Sequence, residues 1–199
     1  MSSTVKESSG GLWNLPSQLA FYRSYHHDPI NVLIHALFIP TILYTSTGIL
    51  ANVQLPYQYI PDELKPYESY LNLGSLIIGV GYAGYYLLLD WRAGIIAAPV
   101  LWAFVHTNVI NLSSIEGYNN YLWTGFVIGW IVQFIGHGFF EKRAPALLDN
   151  LLQALVLAPF FVVFEAIFLL GLRSELRENM EVRALENIEK FKEANKKKL

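Results

Sequence analysis

Long apolar segments without a single charged side chain dominate the middle of this chain, between residues 31 and 171. Hydrophobic residues make up 53% of the sequence and charged residues only 15%, whereas a soluble domain usually carries about 25% charged residues. A helix needs about 20 consecutive apolar residues to cross the hydrocarbon core of a bilayer. Several segments reach that length, so the sequence predicts an all-α fold, a polytopic membrane helix bundle.

Four of the apolar segments are candidates for full spans, at residues 30–53, 70–89, 93–112 and 121–140. A fifth, at residues 146–172, contains Asp149 and Glu165, and a charge at the bilayer centre costs roughly 2.5–3.5 kcal/mol. We therefore expect the fifth segment to be re-entrant or interfacial, bending near Pro159. This division predicts a disordered tail over residues 1–12, a membrane-embedded domain over residues 13–172 and a charged cytoplasmic tail over residues 173–199.

Charge and composition exclude several classes of function. A net charge of −2 provides no basic field for nucleic acid. The absence of cysteine from the sequence rules out disulfides, thiolate metal ligands and cysteine nucleophiles. Eight of the 14 basic residues follow Leu172, and basic residues favour the cytoplasmic side of a membrane. An even number of crossings, with both termini cytoplasmic, fits this distribution.

The last four residues read Lys-Lys-Lys-Leu. Lys196 and Lys197, at the fourth and third positions from the end, resemble a dilysine retrieval signal of the endoplasmic reticulum, a receptor-read address. A generic solvated basic end is the alternative interpretation.

All five histidines lie inside or beside apolar segments, where an ionisable side chain is a functional hypothesis by default. They are His26, His27, His35, His106 and His137. Asn31 and His35 are four residues apart and share one helical face. His26 and His27 precede a helix start signal at Asp28 and Pro29, and the turn there decides which of the two imidazoles points inward.

His137 lies between two glycines that leave room for another helix or a ligand. Glu141 follows at i+4, on the same face of a regular helix. Three roles remain open for Glu141: a metal ligand, a hydrogen-bond acceptor that orients His137, or an interfacial charge beside Lys142 and Arg143. These two cations can bind a lipid carboxylate, for which arginine offers a bidentate fork, or they can simply mark the cytoplasmic side.

Imidazole is a good ligand for zinc, iron, copper and nickel. The candidate metal ligands are His26, His27, His35 and His137. For His106 we favour a hydrogen-bonded core or interfacial role, since its neighbours give no ligand spacing. We expect Asp149, Asn150 and Gln153 to form a buried polar network that supports the histidines, with helix capping after Pro145 as the alternative for Asp149.

Two stretches carry a resemblance to a known family. Residues 22–35 read YRSYHHDPINVLIH, and residues 133–153 read QFIGHGFFEKRAPALLDNLLQ. Over residues 13–172 the chain resembles the fungal 2-hydroxy fatty acid dioxygenases of the endoplasmic reticulum, which act in the alpha-oxidation branch of phytosphingosine degradation. The resemblance implies an Fe(II) enzyme that uses O₂ to shorten a 2-hydroxy long-chain fatty acid by one carbon.

The resemblance also implies roles for individual residues. The motif histidines of the family map onto His26, His27, His35 and His137, and nothing carries over to His106. We assign Glu141 and Asn31 to the catalytic machinery, and Lys142 and Arg143 to binding of the substrate carboxylate. The implied partners are the bilayer, a 2-hydroxy fatty acid and O₂.

Two other classes of function compete with this interpretation. Membrane di-iron hydroxylases and desaturases need several more histidines than the five present, which argues against that class. A non-catalytic lipid-binding or membrane-shaping protein of the endoplasmic reticulum would use the histidines for a structural metal. Such a site would be coordinatively closed, whereas a catalytic site keeps an open position.

Overall fold

The computed structural model describes residues 11, 13–145 and 151–196, and gives only the backbone of residues 152, 153 and 194–196. The α-helices are α1 (Leu15–Tyr25), α2 (Pro29–Ala51), α3 (Ala83–Leu89), α4 (Trp91–Ser114), α5 (Tyr118–Ile135), α6 (Leu151–Leu169) and α7 (Ser174–Lys196). A π-helix, Ser75–Tyr82, precedes α3, and a second one, Gly136–Glu141, continues α5. Short 3₁₀ helices cover Tyr57–Tyr59 and Asp62–Tyr70. The predicted all-α membrane bundle is confirmed.

Three helices are long and apolar enough to cross a membrane: Pro29–Ala51, Trp91–Ser114 and Tyr118–Glu141. The helix Ser75–Leu89 is shorter than our predicted second span. The reason lies at its start, where the side chain of Asn72 accepts a hydrogen bond from the N–H of Ser75 at 2.8 Å and so caps the helix. The apolar part of α6, Ala154–Leu169, is also shorter than a full span.

The chain divides into two compact units, one formed by residues 34–135 and the other by residues 1–33 with 136–199. In the first of these, buried polar side chains link the helices. The hydroxyls of Tyr44 and Tyr118 are 2.6 Å apart, and the amide nitrogen of Asn108 donates to the carbonyl oxygen of Tyr44 at 3.1 Å. Asn108 is fully buried, so these bonds satisfy polar atoms that lipid cannot.

In the second unit, α1 packs against α6 and α7. Met180 and Ala184 of α7 are buried, and so are Phe160 and Phe164 of α6. Met180 and Ala184 lie one turn apart and form a short apolar seam on this otherwise charged helix. The segment that we expected to be a cytoplasmic tail is a helix in contact with α1.

Candidate metal centre

The end of α1 fixes the position of His26. Pro16 follows the N-cap residue Asn14 at the start of the helix, and His26 is the C-cap, with φ −132° and ψ 70°. The chain leaves the helix there, and the imidazole of His26 turns back so that Nδ1 lies 2.9 Å from the carbonyl oxygen of Tyr22. A carbonyl oxygen can only accept, so Nδ1 carries the proton and Nε2 keeps its lone pair for a metal.

Aromatic rings cover His26 on one side. The ring of Tyr22 stacks on the imidazole with centroids 3.9 Å apart and planes 13° from parallel, and Phe161 of α6 lies 4.0 Å from Tyr22. The hydroxyl of Tyr22 is buried and has no hydrogen-bond partner among the residues that the structure describes. Burial, and secondarily the charge of Glu165, raises the pKa of this hydroxyl well above its usual value. Tyr22 therefore stays neutral, and its ring provides an apolar surface beside His26.

The start of α2 places Asn31 and His35. Asp28 accepts hydrogen bonds from the N–H groups of Ile30 at 2.9 Å and Asn31 at 3.2 Å, and Pro29 is the first helical residue. The start signal that we identified in the sequence is confirmed. Asn31 is fully buried and His35 is 4% exposed, in agreement with their expected common face.

The π-helix Gly136–Glu141 places His137, which is buried. We expected a regular α-helix through residue 140, with Glu141 at i+4 from His137. The wider turns of a π-helix, which closes i→i+5 hydrogen bonds, change the angle between these side chains, and such turns are frequent at functional sites. Lys142, with φ 52°, ends the helix in a conformation that is uncommon for a residue with a side chain.

The carboxylate of Glu141 binds the turn between α1 and α2. Both of its oxygens lie 3.1 Å from the backbone nitrogen of His27, and Oε2 also accepts from the backbone of Asp28 and from Nδ2 of Asn31, each at 3.1 Å. Hydrogen bonds to a charged acceptor are the strong ones. Glu141 thus ties the end of the π-helix to the segment that carries His26 and Asn31.

Three histidines converge. His26, His35 and His137 are all buried, and one ring nitrogen from each lies within 4.8 Å of the other two. The rings of His26 and His137 have centroids 4.8 Å apart and meet edge to face. Among the described residues, no carboxylate belongs to this group. Three imidazoles without a fourth protein ligand among the described residues match the donor set of catalytic metal sites better than that of closed structural sites, so these three histidines can bind a metal.

The other predicted site residues lie in various environments. His27 is exposed, and only its backbone contacts Glu141 in the hydrogen bonds above. His106 is exposed too, with Nδ1 2.7 Å from the hydroxyl of Tyr70. Asp149 and Asn150 lie outside the described residues, as does the side chain of Gln153.

The two predicted substrate cations differ from each other. Lys142 is exposed. Arg143 lies between the rings of Tyr25 at 3.6 Å and Phe191 at 3.9 Å, and Nη1 donates to the carbonyl oxygen of Ser24 at 3.0 Å. Arg143 therefore contacts protein groups at the end of α1, while Lys142 remains accessible.

Our reading of the sequence assigned no role to Arg23 or Glu181. Nε of Arg23 lies 2.9 Å from Oε1 of Glu181, which is within the distance of an ion pair. The N–H of Nε does not point at this oxygen, so the contact is not a hydrogen bond. Nη1 of Arg23 donates to the carbonyl oxygen of His26 at 3.0 Å. The two residues are 158 positions apart, and no local pattern signals such a pair.

Comparison with known proteins gives two matches. The family model described as "2-hydroxy-palmitic acid dioxygenase Mpo1-like" matches residues 13–170. The chain is 41% identical over 175 residues to the "2-hydroxy-palmitic acid dioxygenase MPO1" of Saccharomyces cerevisiae, covering 86% of this chain and 90% of that protein. No solved structure matches the chain.

Proposed function

The chain belongs to the Mpo1-like family, and from that premise we propose that it is an Fe(II)-dependent dioxygenase that shortens 2-hydroxy long-chain fatty acids by one carbon. The observation that carries the proposal is the group of three buried histidines, His26, His35 and His137. The name of the yeast relative supports the substrate class. The alpha-oxidation branch of phytosphingosine degradation is the context that we propose for the reaction.

Nε2 of His26 and one ring nitrogen each of His35 and His137 would hold the Fe(II), which supplies the redox chemistry with O₂ when bound. Three neutral imidazoles contribute no negative charge to a buried dication. A buried charge needs a partner, and the carboxylate of a 2-hydroxy acid provides one. This charge balance favours an anionic substrate over a neutral lipid.

The residues around the histidines orient the ligands and exclude water. Tyr22 fixes the tautomer of His26 through its carbonyl and covers the imidazole with its ring. Glu141 and Asn31 hold the turn that carries His26. Lys142, exposed at the end of the π-helix, attracts the substrate carboxylate from the membrane surface. We infer that the acyl chain stays in the bilayer, beside exposed apolar side chains of α2 such as Leu33 and Leu37.

The overall reaction balances without an external reductant. The bond between C1 and C2 of the substrate breaks, C2 becomes the new carboxyl carbon, and C1 leaves as CO₂. One O₂ accepts the four electrons released, and one water forms. Neither 2-oxoglutarate nor another electron donor is needed.

We also propose an endoplasmic reticulum location with both termini cytoplasmic. The basic residues after Leu172 and the Lys142–Arg143 pair would then share one side of the membrane. Protease treatment of sealed microsomes tests this topology. Digestion of an epitope at the C-terminus without detergent supports it, and full protection of that epitope contradicts it.

One experiment tests the activity. Purified protein in detergent is loaded with Fe(II) anaerobically, mixed with 2-hydroxypalmitate and exposed to O₂, and the fatty acids are identified by mass spectrometry. We expect pentadecanoic acid from 2-hydroxypalmitate and no product from palmitate, which lacks the hydroxyl. Stoichiometric iron without product would favour a structural metal and a lipid-binding role.

A further inference from the structure

The C-terminal helix α7 lies beyond residues 13–170, the part of the chain that the family model matches. Its composition is that of a solvated charged helix, and nothing in the matched motifs involves it. Nevertheless α7 packs on α1, with Met180 and Ala184 fully buried. Because α1 ends at the candidate metal ligand His26, the contact connects α7 to the histidine group.

The last carbonyl groups of a helix have no intrahelical partner and need donors from elsewhere. At the end of α1, two arginines provide them. Arg23 donates to the carbonyl oxygen of His26 at 3.0 Å, and Arg143 donates to that of Ser24 at 3.0 Å. Both bonds have a guanidinium as donor, which makes them stronger than bonds between neutral groups.

Each of these arginines is in turn in contact with α7. Glu181 lies 2.9 Å from Nε of Arg23, and the ring of Phe191 lies 3.9 Å from the guanidinium of Arg143. The side chains of Arg23 and Glu181 are 18% and 30% exposed, so the ion pair is shielded from much of the solvent. Two residues of α7 therefore hold the two donors that fix the end of α1.

The backbone of His26 is held at both ends of the residue. Its N–H donates to the carbonyl oxygen of Arg23 at 3.2 Å, and its carbonyl accepts from the side chain of the same arginine. His26 is the C-cap of α1, and its φ and ψ are not those of the helix. Without the bond to its carbonyl, the peptide unit after His26 is held only through the N–H of His27, which donates to Glu141, and the imidazole is positioned less firmly.

We propose that α7 is a positioning element of the metal centre, in which Glu181 holds Arg23 and Arg23 fixes the backbone of the metal ligand His26. The inference rests on the proposed function, because it presupposes that His26 binds iron. Removing a group that orients a metal ligand typically lowers metal affinity about 10–100-fold. We expect a loss in that range for Arg23→Met and a smaller loss, about 10-fold, for Glu181→Ala.

The test measures the anaerobic Fe(II) affinity of the full-length protein in detergent by competition with a chelator, together with the melting temperature of each metal-free variant. Met180→Ala is the matched control, since it removes packing from the same α1–α7 contact and leaves Arg23 and His26 untouched. We expect this control to lower the melting temperature and keep the Fe(II) affinity of the wild type. An equal loss of affinity in Met180→Ala and Glu181→Ala would overturn the proposal, because packing alone would then explain the effect.

A charge swap separates the two steps of the relay. Arg23→Glu combined with Glu181→Arg restores an ion pair between α1 and α7 but not the donor to the carbonyl of His26. We expect Fe(II) affinity to remain low in the double variant, and full recovery would show that His26 is not held through its carbonyl. A wild-type protein that binds neither Fe(II) nor Co(II) would overturn the proposed metal centre itself. Wild-type Fe(II) affinity in all variants would instead overturn the role of α7 and leave the metal centre in place.

Discussion

Nδ1 of His26 lies 2.9 Å from the carbonyl oxygen of Tyr22, one turn earlier in the same helix. The bond defines the tautomer, so that Nε2 is the nitrogen available to a metal. The neighbouring residue His27 has an exposed side chain. Two adjacent histidines with the same chemistry thus differ in position: the imidazole of His26 belongs to the buried histidine group, and that of His27 does not.

Replacing His26, His35 or His137 by alanine should abolish turnover and lower the iron content together, because each substitution removes one of three converging nitrogens. His27→Ala should retain most of its iron and activity. Iron analysis and turnover of 2-hydroxypalmitate, measured on the same preparations, test both statements. An inactive, iron-free His27→Ala protein beside a functional His26→Ala protein would invert the assignment.

His106→Ala provides a second control among the histidines. His106 is exposed and contacts Tyr70, so the substitution should leave the iron content unchanged. Loss of iron in this variant alone would point to a different metal site.

Glu141→Gln should weaken the connection between the π-helix and the turn before α2. The carboxylate accepts hydrogen bonds from His27, Asp28 and Asn31, and glutamine keeps one acceptor oxygen but adds a donor that faces other donors. Hydrogen bonds to charged groups contribute about 1.5–3 kcal/mol each, so we expect a lower melting temperature. Because this turn carries His26, turnover should fall about 10–100-fold. Unchanged iron, stability and turnover would contradict a role for this carboxylate.

Lys142→Ala and Arg143→Met should have different consequences. Lys142 is exposed, and its loss should raise KM for the fatty acid while leaving the melting temperature unchanged. Arg143 is stacked between Tyr25 and Phe191, and cation–π contacts contribute about 0.5–2 kcal/mol. Arg143→Met should therefore lower the melting temperature. Steady-state kinetics at low and high salt, compared with thermal unfolding, distinguish the two, and a KM effect confined to Arg143→Met would reverse our assignment.

Tyr22→Phe should be close to neutral, whereas Tyr22→Leu should not. The hydroxyl has no hydrogen-bond partner among the described residues, and removing an unpaired buried polar group costs little or stabilises. Leucine keeps an apolar side chain but loses the ring that stacks on His26 at 3.9 Å. We expect a lower Fe(II) affinity only for the leucine variant. A strong loss of turnover in Tyr22→Phe at normal iron content would instead assign a chemical role to the hydroxyl.

Several features of the fold follow from local sequence. The apolar segments predict a helical membrane protein because a helix satisfies its own backbone in lipid. Asp28 and Pro29 predict the start of α2 because capping and the fixed φ of proline act within a few residues. Our second predicted span begins at residue 70, whereas the helix in the structure begins later, at Ser75, because Asn72 caps it.

The sequence by itself determined which residue types are available: histidines in apolar segments, no cysteine, and a carboxylate near His137. Only the tertiary structure brings His26 rather than His27 into the buried histidine group, because the direction of each imidazole depends on how the chain leaves α1 and on hydrogen bonds with Arg23 and Glu141. Arg23 is paired with Glu181 and Glu141 accepts from His27, and in both cases the partner is more than 100 residues away in the chain. Contacts between such distant residues leave no periodicity or spacing in a single sequence, since they form only when the helices pack.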